Sequence, residues 1–442
     1  MSRLANILIA GEGSPYRDGL VEHLTSHDYS TRVLDDAAAL GDTVRATQPD
    51  VVIVGASSSA FDGFQAASAL SGGDEIVPVV LAGADRSPEV FRRALAAGAD
   101  DVMMADDGFS ALWFRLQPLL RLSTMRAELA RRVALAREFG HEAGAVAAAD
   151  SEARPALVVA GAGADHQALL AANLGSDCSI ESADGVSQAA RLLDDRAFDA
   201  CVVFLGDGEA SEPVLELCEQ VRNNPRLFNV PMVVVAAPAA FADASEAYGR
   251  GVSRLIVAPF DEAEVRFVLK TLVERQRRRW RLRTGIEETK GLATLDPATG
   301  TYSRDFLNRH IESVIAAARA WRKHVTAVFL SVPEAEAVRV QFADSAADDL
   351  VRQIGQWITG LIRVEDLIAR YSAHDFCVIL PDTPLREASA VMQRIAGIIS
   401  HTDFAVAEVY QPISVPVEVG LAELEAGDEA DGLIARARAN LD

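Results

Sequence analysis

The sequence predicts an α/β protein made of successive units, the first two around parallel sheets. Three observations carry this. Short apolar runs at 7–10, 51–54, 77–81 and 102–104 alternate with helical stretches, the sign of βαβ units around a buried parallel sheet. The same alternation returns, at lower similarity, between 156 and 260. A hairpin pattern then marks the last third: 367–369, a turn, and 378–380 ending at Pro381.

Composition narrows the function classes. At 442 residues the chain is long for one domain and suggests roughly three. Half of it is apolar, enough for several cores. The net charge of −22 repels phosphates, so general nucleic-acid binding is disfavoured. Cys178, Cys201, Cys218 and Cys377 lack metal-ligand spacing and read as buried thiols of a reducing cytosol. Of the eight histidines only His23 and His27 stand at HxxxH spacing, with no further His or Cys near them in the sequence, so no metal site is expected. No run of about 18 apolar residues would insert in a membrane, and no secretion signal opens the chain.

In the first unit (1–124), the run 7–10 leads into Gly11-Glu12-Gly13, and a helical pattern starts at Leu20. A helix over 88–97 precedes the strand 102–104. PDVVIVG…FDGF (49–64) and AGADDVMM (97–104) resemble a response-regulator receiver domain, which implies a flavodoxin-like, five-stranded parallel sheet. A receiver holds Mg²⁺ on an acidic pair after its first strand. It takes phosphate on an Asp ending the third, beside a Thr/Ser and a Lys. The resemblance places these at Gly11-Glu12, Gly55, about Gly83 and Ala105. Glycine offers no oxygen to phosphorylate, so Gly55 is read as a lost phosphoacceptor and the unit as a receiver-shaped packing module.

A helical connector follows (125–153), Ala-rich and charged, helical by propensity up to Gly140. The second unit (154–275) opens on ALVVA (156–160), and GVSRLIVAPF (251–260) resembles a receiver's ending with Ala258 at the Lys position. The acidic pair falls on Gly161-Ala162 and the phosphoacceptor on Phe204 or Leu205, with Asp207 nearby but out of register. A basic helical linker (276–291) ends the pattern of Val265, Val268, Leu269 and Leu272 on one face. The run RQRRRWRLR (275–283) reads either as a nucleic-acid patch or, in keeping with the global charge, as an interdomain helix set against acidic neighbours or an anionic ligand.

The third unit (292–442) carries the specific motifs. Arg363 and Asp366 stand three apart just ahead of Arg370-Tyr371…Phe376 and VILPDT (378–383). This resembles the GGDEF family of diguanylate cyclases, in which RxxD precedes a Gly-Gly-acid-acid-Phe hairpin. LDPATGTYSR (295–304) is similar to that family's entry sequence. The resemblance implies an α/β sandwich on a central mixed sheet. It also implies decay, since Ser331 and His374 occupy the two metal-acid positions and Ser372 and Ala373 the hairpin glycines. Asp375 keeps the remaining acid; Arg339 falls about where an Asn reads guanine, and Asp348 keeps that residue's partner acid. A hydroxyl and an imidazole do not replace hard anionic ligands for Mg²⁺. The family's basic tail beyond LIARARANL (433–441) is also missing.

The product-binding pattern persists, with Arg363, Asp366 and, on the next helix, Arg394. Arginine forks suit phosphate oxygens and the guanine O6/N7 edge, and a carboxylate suits guanine's N1–H and amine. The bland alternative is a surface ion pair between Arg363 and Asp366, worth ~0–1 kcal/mol. The expectation is a non-enzymatic, cytoplasmic cyclic di-GMP effector with no catalytic residues, no cofactor and no metal. Resemblance to regulators with paired receivers ahead of a GGDEF domain further implies a homodimer, recruitment to a cell pole and, as partner, a protein adaptor of regulated proteolysis. A nucleotide-independent scaffold and a weak cyclase are the other classes in play.

Overall fold

The computed structural model describes residues 3–56, 61–71, 77–142, 156–161, 163, 166, 170, 178–206, 208–238, 240–241, 244–406 and 409–441. It divides into two compact units. One comprises Asn6–Ser123 with Ala148–Trp280; the other Met1–Ala5, Thr124–Ala147 and Arg281–Asp442.

The first of these holds both parallel sheets. Strands β1 (Asn6–Ala10), β2 (Ser30–Leu34), β3 (Val51–Gly55), β4 (Val79–Ala84) and β5 (Asp101–Met104) form a sheet in the order β2-β1-β3-β4-β5. Strands β6 (Ala156–Ala160), β7 (Ser179–Ala183), β8 (Ala200–Leu205), β9 (Met232–Ala236) and β10 (Arg254–Val257) repeat it as β10-β9-β8-β6-β7. Both are doubly wound, the order expected of receivers. Central strands are apolar throughout because both faces are covered; Val51 to Val54 are fully buried. The two strands not anticipated, β2 (STRVL) and β7 (SIESA), are edges with polar, partly exposed residues, so no apolar run announces them. Helix starts follow local chemistry. Ser14 and Ser87 accept from the backbone N–H of Arg17 and Val90, each followed by Pro at the first turn.

Two helices run across expected unit boundaries. The connector helix runs from Leu112 to Glu138, so it starts well inside the first predicted unit. Glu262–Glu288 is one uninterrupted helix across the expected 275/276 boundary, because nothing in its charged sequence breaks it. The basic run on that helix lies against carbonyls and carboxylates of its own unit. Arg275 donates to Asp100 O at 2.9 Å, Arg278 pairs with the Asp100 carboxylate, and Arg277 lies 3.8 Å from Asp199. These three are thereby not a free nucleic-acid patch.

In the second unit β11 (Val325–Ser331), β12 (Leu367–Arg370), β13 (Asp375–Pro381) and β14 (Glu418–Glu423) form a sheet in the order β12-β13-β11-β14. These strands pair antiparallel, and the mixed character expected shrinks to isolated parallel bridges, Tyr302 with Ala369 and Arg3 with Lys323. The period of two sorts side chains to two cores. Phe376, Val378 and Leu380 face helices Asp344–Leu361 and Leu385–Ser400. Cys377 and Ile379 face helices Arg304–Trp321 and Ala430–Ala439, with Leu135 packed among them. The cysteines are free thiols. Among the described residues no helix is long and apolar enough to cross a membrane.

Candidate functional site

The hairpin forms where the sequence places it, with Leu367 opposite Ile379 and Arg370 opposite Phe376. Its turn is braced from one side. Tyr371 N–H donates to Asp375 O at 2.9 Å, and the Arg370 guanidinium donates to Ser372 O at 3.1 Å and Ala373 O at 2.9 Å. Arg370 is itself held by Asp296 at 3.3 Å.

The degenerate positions meet here. Asp375 is buried, and both its oxygens are occupied: Ser331 Oγ donates to Oδ1 at 2.7 Å and Ser372 Oγ to Oδ2 at 2.6 Å. His374 Nε2 lies 3.9 Å from Oδ1. The one carboxylate left in the hairpin therefore serves as an acceptor for two hydroxyls. Among the described residues no group of three or more His, Cys, Asp and Glu is placed to hold a metal ion. Ser331→Ala removes one donor from a buried carboxylate and is expected to cost about 1–3 kcal/mol. Urea denaturation checks this, and an unchanged midpoint would contradict the assignment.

The position expected near the guanine-reading Asn is also closed. Arg339 donates to Asp348 at 3.0 Å and Asp344 at 2.7 Å, with Glu336 at 3.5 Å. The acid that would pair with a base-reading Asn is taken by a guanidinium.

The RxxD segment differs from the alternative of a surface ion pair between Arg363 and Asp366. Asp366 is only 9% exposed, and its Oδ2 accepts the backbone N–H of Arg363 at 2.9 Å. Asp366 N–H returns a bond to Arg363 O at 3.1 Å. The carboxylate thus closes the turn, while the Arg363 side chain is exposed. Arg394 is exposed on the Leu385–Ser400 helix, which shares a core with the Asp344–Leu361 helix leading into the turn. Among the described residues neither guanidinium has a hydrogen-bond or ion-pair partner. Arg363 on the turn and Arg394 on the Leu385–Ser400 helix are accordingly uncommitted cations, with Asp366 as the turn's internal tie.

Four residues behind this loop were not singled out from sequence. Arg132, 1% exposed, donates to Val364 O at 3.1 Å and Glu365 O at 2.5 Å. Glu128, fully buried, accepts from Arg132 Nε at 3.3 Å, pairs with Arg131, and contacts His310 Nε2 at 2.8 Å. The signal was present as Glu128, Arg131 and Arg132 at helical spacings i, i+3 and i+4, but the partner of Glu128 lies 182 residues on and those of Arg132 232 and 233 residues on.

Burial works to raise the Glu128 carboxyl; the facing His310, Arg131 and Arg132 overcome it and hold it at about 2. Burial lowers His310 from its ordinary 6.5, against the pull of Glu128. The ring is then neutral, with Nε2–H donating to Glu128 and Nδ1 buried without a partner. A depressed folded pKa means that this stabilisation is complete above pH 6.5 and is lost as pH falls below it. Glu128 begins to titrate only below 4.5, so the range from neutral to mildly acid reads His310 of the two. The expected result is a lower denaturation midpoint at mildly acid than at neutral pH, with a smaller fall in His310→Gln. Equal falls would remove His310 as the cause.

In the parallel-sheet unit, Gly55 ends β3. A Cβ there would meet Ala10 O at 3.7 Å, an ordinary contact, so packing alone does not demand glycine. Ala162 and Asp207 lie outside the described residues.

Residues 293–442 match the family described as diguanylate cyclase, GGDEF domain. The response regulator PleD of Caulobacter vibrioides is 24% identical over 421 residues, covering 94% of this chain and 91% of that protein. Diguanylate cyclase DgcP of Pseudomonas aeruginosa is 23% identical over 152 residues, 34% of this chain and 22% of its own length. Among solved structures, the GGDEF domain of DgcB from Caulobacter crescentus in complex with c-di-GMP is 18% identical. It aligns with 33% of this chain and 84% of that one at a TM-score of 0.32.

Proposed function

We infer that the protein is a cyclic di-GMP-binding effector of bacterial signalling, catalytically inactive as a cyclase, with the ligand held at Arg363, Asp366 and Arg394. The observation that carries this is the contrast between two sets of arginines. Arg339 is committed to Asp348 and Asp344 at the guanine-reading position, whereas Arg363 and Arg394 stand exposed and uncommitted. In the hairpin, Asp375 is capped by Ser331 and Ser372, and among the described residues no group of hard anions is placed for the two metals that phosphoryl transfer requires. Two free guanidinium forks suit a ligand with two phosphates and two guanines.

Titration of the full chain with cyclic di-GMP by calorimetry tests the binding half. A Kd of about 1 μM, near −8 kcal/mol, is expected. No heat at high micromolar ligand would instead favour a nucleotide-independent scaffold. Incubation with GTP and Mg²⁺ or Mn²⁺ tests the other half. No cyclic di-GMP should form, and turnover would establish a cyclase with unusual metal ligation. The proposal extends to an effector that lacks phosphorylation at Gly55 and works as a homodimer. It also extends to recruitment at a cell pole of an adaptor of regulated proteolysis. Layout alone supports that extension, and co-purification with and without ligand tests it.

A further inference from the structure

We propose that Arg132 is a positioning residue for the dinucleotide at the 363–366 loop, so that ligand occupancy and docking of the helical stretch 124–138 favour one another. This rests on the reading that the loop binds cyclic di-GMP.

The loop is held from two sides. On its outer side stands the exposed Arg363 side chain. On its inner side the Arg132 fork donates to two successive carbonyls, Val364 O and Glu365 O. A planar guanidinium spans both acceptors at once, which an ammonium does not. Arg132 is fixed in turn: Glu128 accepts from its Nε, and its guanidinium lies 5.6 Å over the Tyr302 ring. Tyr302 N–H donates to Ile368 O at 3.0 Å, and Arg370 N–H donates to Tyr302 O at 2.9 Å. The backbone on the far side of the loop is thereby tied to the ring that Arg132 covers. Asp366 closes the turn from within.

Removing Arg132 strips donors from two carbonyls of a four-residue turn whose geometry sets where Arg363 points. The loop lies just ahead of the sheet, since β12 begins at Leu367. Arg132 belongs to the Leu112–Glu138 helix, whose residues up to Ser123 are part of the other compact unit. Whatever loosens the 124–138 stretch therefore loosens the turn. By thermodynamic reciprocity, a ligand that favours the ordered turn favours the docked helix by the same factor.

The test uses the full chain with cyclic di-GMP as probe, in wild type, Arg132→Met, Arg132→Lys and Arg363→Ala. Calorimetry is expected to show about tenfold weaker binding in Arg132→Met and partial recovery in Arg132→Lys. Hydrogen exchange on wild type should show slower exchange of amides in 128–138 once ligand saturates, and markedly less slowing in Arg363→Ala at the lowest ligand concentration that saturates wild type. A purely structural role for Arg132 would not produce that ligand-dependent protection. Wild-type affinity in a folded Arg132→Met, or unchanged exchange in 128–138 under saturating ligand, overturns the proposal while leaving the binding reading intact. Absence of binding by wild type overturns both. Should Arg132→Met fail to fold, the wild-type exchange measurement decides alone.

Discussion

Arg363→Ala is expected to weaken cyclic di-GMP binding by about ten- to a hundredfold, ~1.5–3 kcal/mol, with little change in stability. The two halves of that expectation have separate grounds. The side chain is exposed and makes no hydrogen bond or ion pair among the described residues, so the folded protein loses little by its removal. The backbone N–H that Asp366 accepts remains in alanine, so the turn keeps its tie. The loss falls on the ligand, whose phosphate or guanine edge would face water instead of a charged fork. Arg363→Lys should recover only part of the affinity, because a point charge lacks the bidentate geometry. Equal calorimetric affinity of wild type and Arg363→Ala would remove this loop as the site.

The second large effect is in stability. Asp101 is buried between Arg115, which donates to it at 2.8 and 2.9 Å, and Arg254, at 2.9 Å. Arg115 and Asp101 come from the first parallel-sheet segment and Arg254 from β10 of the second, within one compact unit. Burial would raise this carboxyl, but Arg115 and Arg254 overcome it and hold it well below the usual carboxylate range. Asp101→Ala leaves two buried guanidiniums facing each other and should cost about 3–5 kcal/mol, the usual penalty for breaking a buried ion cluster from one side. Because the folded pKa is depressed, the native contribution is present above the ordinary carboxyl pKa of 3.8 and lost only as pH falls below it. Urea denaturation at neutral pH reads the effect. A loss under about 1 kcal/mol would mean that solvent or a relaxed packing replaces the acid.

What the sequence determined by itself was everything written in local patterns. The buried strands of both parallel sheets, the β12–β13 hairpin and the positions of Ser331, Arg339, Ser372 and Asp375 follow from apolar runs and motif register. The edge strands β2 and β7 escaped because an edge needs no apolar run. Only the tertiary structure decided what those side chains do to one another. It turned Asp366 inward as a tie for the turn, set Arg339 on Asp348, and capped Asp375 with two hydroxyls. It also brought Arg132 to carbonyls more than 230 residues away. Pattern and propensity are properties of neighbours along the chain. The pairing of a buried charge is a property of neighbours in space, imposed because burial without a partner is too costly to survive.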